Sequence, residues 1–171
     1  MSTLLFAVVL SQPPAVVAPS AALVEEGLGH EVRRATRLVC RRRYTKLEEV
    51  QREVLAAALV DAEDKTILNA EARRYGTLEL AAAYYFMRGD LLKVEVSVVD
   101  TAEQPGGGTP ITREQLLRVV EAETQLDASV LRRCQVNLSG DPVEGFDVVV
   151  ARRERASKRR PGRGSERRGR R

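Results

Sequence analysis

LELAAAYYFMRGDLLKVEVSVVD, residues 78–100, is the stretch on which the fold turns. Leu78–Met87 is apolar and rich in aromatic residues. Leu92–Val99 alternates, with Leu92, Val94, Val96 and Val98 on one side and Lys93, Glu95 and Ser97 on the other. A repeat of two is the period of a strand with one buried and one wet face. Arg88-Gly89-Asp90 lies between the runs. Glycine reaches positive φ without steric cost, and aspartate bonds to nearby backbone, so the tripeptide reads as a tight turn. The segment predicts an antiparallel hairpin belonging to the core sheet.

Upstream of the hairpin the pattern turns helical. Thr45-Lys46-Leu47-Glu48 has the form of a capping box, and Leu47, Val50, Val54 and Ala58 share one face of the helix it would open. A further helix is predicted from Asp61–Asp64, with Ile67, Leu68, Ala70 and Ala72 apolar and Gly76 as its stop. Arg37–Arg43 reads as a short strand centred on Leu38-Val39-Cys40. Before it, Ser20 caps a helix to about Ala35, with Val24, Leu28 and Val32 as the buried stripe. Gly27 and Gly29 weaken that helix and let it approach the sheet closely. Leu4–Leu10 has two readings: a buried first strand followed by a loop at Ser11–Pro19, or the apolar core of a signal peptide.

Downstream, Gln104–Pro110 is a Gly-Pro loop, and Thr112-Arg113-Glu114-Gln115 is a second capping box opening a helix with Leu116, Val119 and Val120. The apolar phase then slips to Leu126, Val130 and Leu131, which predicts a break near Thr124–Asp127. Phe146–Val150 reads as a short final strand. Together these elements predict an α/β (α+β) fold. It comprises a single mixed sheet of about four to five strands with a C-terminal antiparallel hairpin, packed by three to four helices.

The chain has 171 residues, 43% apolar and 30% charged, the balance of a folded domain; aromatics are only 4%, so the core rests on Val, Leu and Ala. Its formal charge of +4 conceals an asymmetry. From Arg152 to Arg171 there are 11 Lys+Arg against 2 Asp+Glu, a net of +9; the 17 basic and 22 acidic residues before Arg152 leave −5. Summed in this way, the folded part is not a basic nucleic-acid binder. The expected organisation is residues 1–19 as first strand and loop or signal peptide, 20–151 as the α/β domain, and 152–171 as a disordered arginine-rich tail. No apolar run approaches the roughly 20 residues a membrane-spanning helix needs. A cleaved start would place the protein in the periplasm or cell envelope, and an intact one in the cytoplasm. Cys40 and Cys134 fit no metal spacing; a bridge between them stays open, and two buried free thiols are the favoured reading.

Several of these residues carry a resemblance. Leu38-Val39-Cys40-Arg41-Arg42 followed by Leu47-Glu48-Glu49-Val50-Gln51 is similar to the strand, arginine, helix step of a bacterial envelope domain group. That group includes the amino-terminal domain of TolB, the flagellar protein FlgO and the curli secretion protein CsgG. Ala72-Arg73-Arg74-Tyr75-Gly76 resembles the group's helix ending in Gly. Arg88-Gly89-Asp90-Leu91-Leu92-Lys93-Val94 looks like its hairpin turn, and Val96-Ser97-Val98-Val99-Asp100-Thr101-Ala102 like its strand ending. The chain departs from the group at Ala83-Tyr84-Tyr85-Phe86, where a glycine is usual, and in its tail. The resemblance covers about residues 20–103 and implies a non-catalytic interaction or scaffold module of the cell envelope, with protein partners and no cofactor.

No catalytic or metal constellation assembles from the sequence. His30 is the lone histidine and has no partner at a useful spacing. Gly106-Gly107-Gly108-Thr109 lacks the lysine of a phosphate loop and reads as a connector. The acidic pairs Glu25–Glu26, Glu48–Glu49 and Glu121/Glu123 read as solvated helix faces. Asn137-Leu138-Ser139 has the form of a glycosylation acceptor. Arg37 and Arg41-Arg42-Arg43 form a local basic patch that reads as solvated strand ends. The candidate polyanion-binding residues are those of the tail: Arg152, Arg153, Arg155, Lys158, Arg159, Arg160, Arg163, Arg167, Arg168, Arg170 and Arg171. Such a run condenses on nucleic acid or anionic lipid without sequence preference. Polyanion binding through the tail is therefore the second functional expectation.

Overall fold

The computed structural model describes residues 21–101, 111–124 and 132–153. Helix α1, Ala21–Thr36, runs directly into a π-helical turn, Arg37–Arg41; α2 is Leu47–Glu53 and α3 is Arg113–Thr124. The strands are β1 Ala56–Ala62, β2 Lys65–Ala70, β3 Arg73–Tyr75, β4 Leu78–Met87, β5 Asp90–Asp100, β6 Cys134–Asp141 and β7 Gly145–Arg152. They form one sheet in the order β1-β2-β4-β5-β7-β6, with the short β3 pairing the start of β4. All pairings are antiparallel. Among the described residues, this seven-stranded antiparallel sheet with three α-helices corrects the expected mixed sheet of four to five strands with a C-terminal hairpin.

Four strands were not expected: β3 at the end of a predicted helix, β6, which pairs with β7, and β1 and β2 from residues 56–70, which read as helix because alanine is the best helix former. The chain instead turns at Glu63-Asp64, with Glu63 at φ 54°, and the Thr66 hydroxyl donates to Asp61 Oδ1 at 2.8 Å. Leu59 then faces Leu68, Val60 faces Ile67, and β2 continues onto β4 with Leu68 fully buried. Strand character here comes from the partner strands rather than from local preference.

The hairpin forms as expected. Arg88 and Gly89 have φ of 51° and 79°, the two positive angles of a type I′ turn that matches strand twist. A register shift between Tyr85 and Phe86 sets Phe86 opposite Leu91 and Tyr85 opposite Lys93. Leu91 therefore enters the core where Leu92 was expected, and Val94, Val96 and Val98 are buried as the alternation predicts.

One face of the sheet packs against Val24, Leu28, Val32 and Ala35 of α1 and Leu116, Val119 and Val120 of α3. Phe146, Val148 and Val150 of β7 complete that core, in a strand longer than the expected Phe146–Val150. Gly27 permits the approach of α1: a Cβ there would lie 2.7 Å from the Tyr75 ring. The second capping box is present, with the Thr112 amide donating to Gln115 Oε1 at 2.8 Å and the Gln115 amide donating to Thr112 Oγ1 at 3.3 Å.

Three local expectations change. Leu38, Val39 and Cys40 are buried, but in the π-helical turn and not in a strand; so short an apolar run carries no period of its own. Thr45 donates its hydroxyl to the Leu38 carbonyl at 2.7 Å, closing that turn, while Lys46 stands at the N-cap of α2 and makes no side-chain cap bond. Cys40 and Cys134 are joined by a disulfide with their Cα atoms 5.7 Å apart, in place of two free thiols. Leu4–Leu10, Ser11–Pro19, Gln104–Pro110 and the phase slip at Leu126–Leu131 lie outside the described residues, and α3 ends at Thr124. No helix among the described residues is long and apolar enough to cross a membrane. Of the stretches that carry the family resemblance, 88–94 form the hairpin, 38–42 lie in and just after the π-helical turn, and 73–75 are β3.

Candidate protein-docking edge

A strand at the end of a sheet presents a row of unpaired amides and carbonyls, which folded proteins usually cover or blunt. The two ends of this sheet are treated differently. At β6, α3 supplies the cover: Arg113 donates to the carbonyls of Leu138 at 2.9 Å and Gly140 at 3.3 Å. The Arg153 guanidinium donates to the Cys134 carbonyl at 2.8 Å, and the disulfide ties the same residue to the π-helical turn.

At β1 no such device exists among the described residues. All seven residues of AAALVDA are exposed. The strand contains no Lys and no Pro, and its single charge is Asp61. Of the seven large apolar residues exposed in the described part, Leu55, Leu59 and Val60 sit on or beside this strand. Val60, Ile67, Tyr85 and Lys93 are register neighbours across β1, β2, β4 and β5, and Lys93 Nζ lies 3.9 Å above the Tyr85 ring. The edge thus joins an apolar strand to an amphipathic row on the face away from the core.

A polar cluster beneath α1 anchors the neighbouring part of the sheet. Glu31 is buried between Arg34 of its own helix, at 3.5 Å, and Arg73 of β3, at 3.6 Å. Glu31, Arg34 and Arg73 line a cavity of about 10 Å³, the size of one water. Burial, with the Glu31 carboxylate nearby, pushes the Tyr84 hydroxyl up to about 12.

The other sequence candidates fall as follows. His30 is exposed on α1, 3.5 Å from Glu31 Oε1. Asp90 of the turn tripeptide pairs with Lys46 at 2.5 Å, and Glu49 pairs with Arg42 at 3.1 Å. Glu123 is held by Arg33, which keeps its carboxyl below the usual range. Asn137-Leu138-Ser139 lies in β6, and Gly106–Thr109 lies outside the described residues. Among the described residues no group of three or more His, Cys, Asp or Glu could hold a metal ion.

Of the basic residues assigned to the tail, Arg152 closes β7 and Arg153 follows it, and both are engaged by backbone. Arg152 donates from Nε to the Val39 carbonyl at 3.0 Å and from its two terminal nitrogens to those of Arg43 at 2.9 Å and Arg42 at 3.4 Å. It thus satisfies the carbonyls that the end of the π-helical turn leaves open. Arg155, Lys158, Arg159, Arg160, Arg163, Arg167, Arg168, Arg170 and Arg171 lie outside the described residues.

No protein-family model, curated protein or solved structure matches the chain. The sequence reading missed β1 as an edge and Arg113 and Arg152 as covers of carbonyls. The one local signal for the first was the β-branched pair Thr66-Ile67 after a polar Glu63-Asp64-Lys65 break. For the two arginines there was none.

Proposed function

We propose that this chain is a non-catalytic protein-interaction module that docks its partner by strand addition at β1. The observation that carries the reading is the contrast between the edges: β6 is sealed by Arg113 and Arg153, and β1 is left bare and apolar. Strand addition draws its affinity from main-chain hydrogen bonds and its specificity from alternate side chains.

The occupant this strand fits is a second copy of itself. Antiparallel pairing about Leu59 sets Ala58 opposite Val60 and Asp61 opposite Ala57, so the two aspartates never face one another. The contact is isologous and closes as a dimer. The Cys40–Cys134 bridge favours an oxidising compartment and, with the resemblance to the envelope domain group, supports a place in the cell envelope.

Sedimentation equilibrium of the full chain over a wide concentration range tests the reading. A monomer–dimer equilibrium is expected, weakened at least ~10-fold by Leu59→Lys, which sets like charges opposite each other on an exposed site. A parent chain that stays monomeric at every concentration, or a Leu59→Lys variant that dimerises as well as the parent, would sink it.

A further inference from the structure

The acidic sum of the body hides one place where positive charge is concentrated. A cleft of about 500 Å³ is lined by His30, Arg33, Arg34, Arg37, Arg41 and Glu53. Five of these six come from one face of the continuous α1 and π-helical segment. From Arg33 to Arg37 to Arg41 the steps are four residues each; the first is an α-helical rise of roughly 6 Å at about 1.5 Å per residue, and the second lies in the π-helical turn. Like charges at this spacing repel one another and destabilise a helix.

Three of the guanidinium groups are already oriented. Arg33 is gripped by Glu123 through Nε at 2.8 Å and a terminal nitrogen at 2.5 Å. Arg34 is held by Glu31 at 3.5 Å, and Arg37 by Glu53, whose other oxygen accepts from Arg42 at 3.0 Å. Arg41 is exposed and has no carboxylate partner among the described residues. A guanidinium carries five donors, and one carboxylate occupies at most two of them. The carboxylates thus hold Arg33 and Arg37 in place and leave further N–H groups of each, on side chains that stay exposed, unclaimed. The π-helical turn carries both Arg37 and Arg41, and such turns recur at functional sites.

From this arrangement we propose that the Arg33–Arg37–Arg41 ladder binds a linear chain of phosphates, with Arg34 held in the buried cluster behind it. Phosphate oxygens point in several directions, so one group can bridge two neighbouring arginines that each keep only some donors free. The four-residue spacing of the arginines along one face suits successive phosphates. No aromatic side chain lines the cleft, so recognition rests on phosphate and not on base stacking. The volume suits a ligand of nucleotide size. Free polyphosphate and a nucleic-acid backbone share this chemistry. The site is independent of the β1 edge, and it lies where the chain enters its basic tail: Arg152 grips the carbonyls of Val39, Arg42 and Arg43 at the end of the same helical segment.

The test is isothermal titration of the full chain with tripolyphosphate and, separately, with a mixed-sequence single-stranded oligonucleotide, each at 50 and 200 mM salt. Arg37→Gln/Arg41→Gln is compared with Lys65→Gln/Arg88→Gln, which removes the same two charges at exposed hairpin positions. The cleft pair should lose affinity for at least one of the two probes on the order of tenfold, and the hairpin pair less than about threefold. Loss for tripolyphosphate alone identifies a free phosphate chain as the ligand, and loss for the oligonucleotide alone identifies nucleic acid. Arg41→Gln by itself removes an exposed, unpaired side chain and should lower affinity severalfold without moving the unfolding midpoint. Equal affinities of the parent and the cleft variants for both probes would overturn the proposal. So would equal losses for the cleft and hairpin pairs, because the effect would then be one of net charge. Citrate binding as tightly as tripolyphosphate would overturn the assignment to phosphate.

Discussion

Removing the disulfide should cost this fold more than any single exposed side chain does. Cys40 lies in the π-helical turn and Cys134 begins β6, an edge strand whose one strand partner is β7. The bridge closes a loop across a sequence separation of 94. In the chain-entropy account a loop of this length restricts the unfolded state by about 4–5 kcal/mol at 25 °C, and measured bridges more often return about 2–4 kcal/mol. Both cysteines are buried, so Cys40→Ala/Cys134→Ala is the cleaner probe. Serine would add buried hydroxyls costing about 1–3 kcal/mol each if left without partners. Urea unfolding of parent and double variant should show a loss of about 2–4 kcal/mol, and the midpoint temperature should fall by about 5–15 °C. The variant's denaturant slope should rise, because its unfolded chain is free to expand. A difference below ~1 kcal/mol, or two titratable thiols in the unfolded parent, would refute the reasoning.

Two further outcomes follow from the same packing. Arg152→Ala should destabilise by about 2 kcal/mol, because three backbone carbonyls lose a charged donor; equilibrium unfolding measures this, and a chain ending at Arg153 should exceed one ending at Ala151 by more, because the Arg153 bonds to the Arg133 and Cys134 carbonyls are lost as well. Tyr84 should ionise near pH 12 in an absorbance titration at alkaline pH. Its folded pKa lies above the unfolded value of about 10, so its contribution is complete below pH ~10 and is lost as pH rises through 12; Tyr84→Phe should remove that part of the alkaline dependence.

Some of this architecture was legible in the residues alone, wherever the signal is short-ranged and periodic. The hairpin over 78–100 follows from a two-residue alternation flanking Arg88-Gly89. The stripe of α1 follows from Val24, Leu28 and Val32, and the start of α3 from Thr112 and Gln115. In each case the residues that decide the structure lie within one turn or one hairpin of each other. The rest depended on partners distant in sequence. Ala56–Ala62 is a strand because β2 offers it a ladder, and β2 because β4 does; nothing within seven alanine-rich residues contains that. Leu38-Val39-Cys40 is apolar in either conformation, and only the packing of sheet and helix around it selected the π-helical turn. The pairing of Cys40 with Cys134 spans 94 residues. Arg113 and Arg152 look like any surface arginines until the carbonyls they cover are in place. Charge shows the same division: the sequence sets the sum over the body at −5, and tertiary structure decides where that charge lies. It lined one cleft with four arginines and left one sheet edge nearly uncharged, because a sum carries no positions and a potential depends on distance.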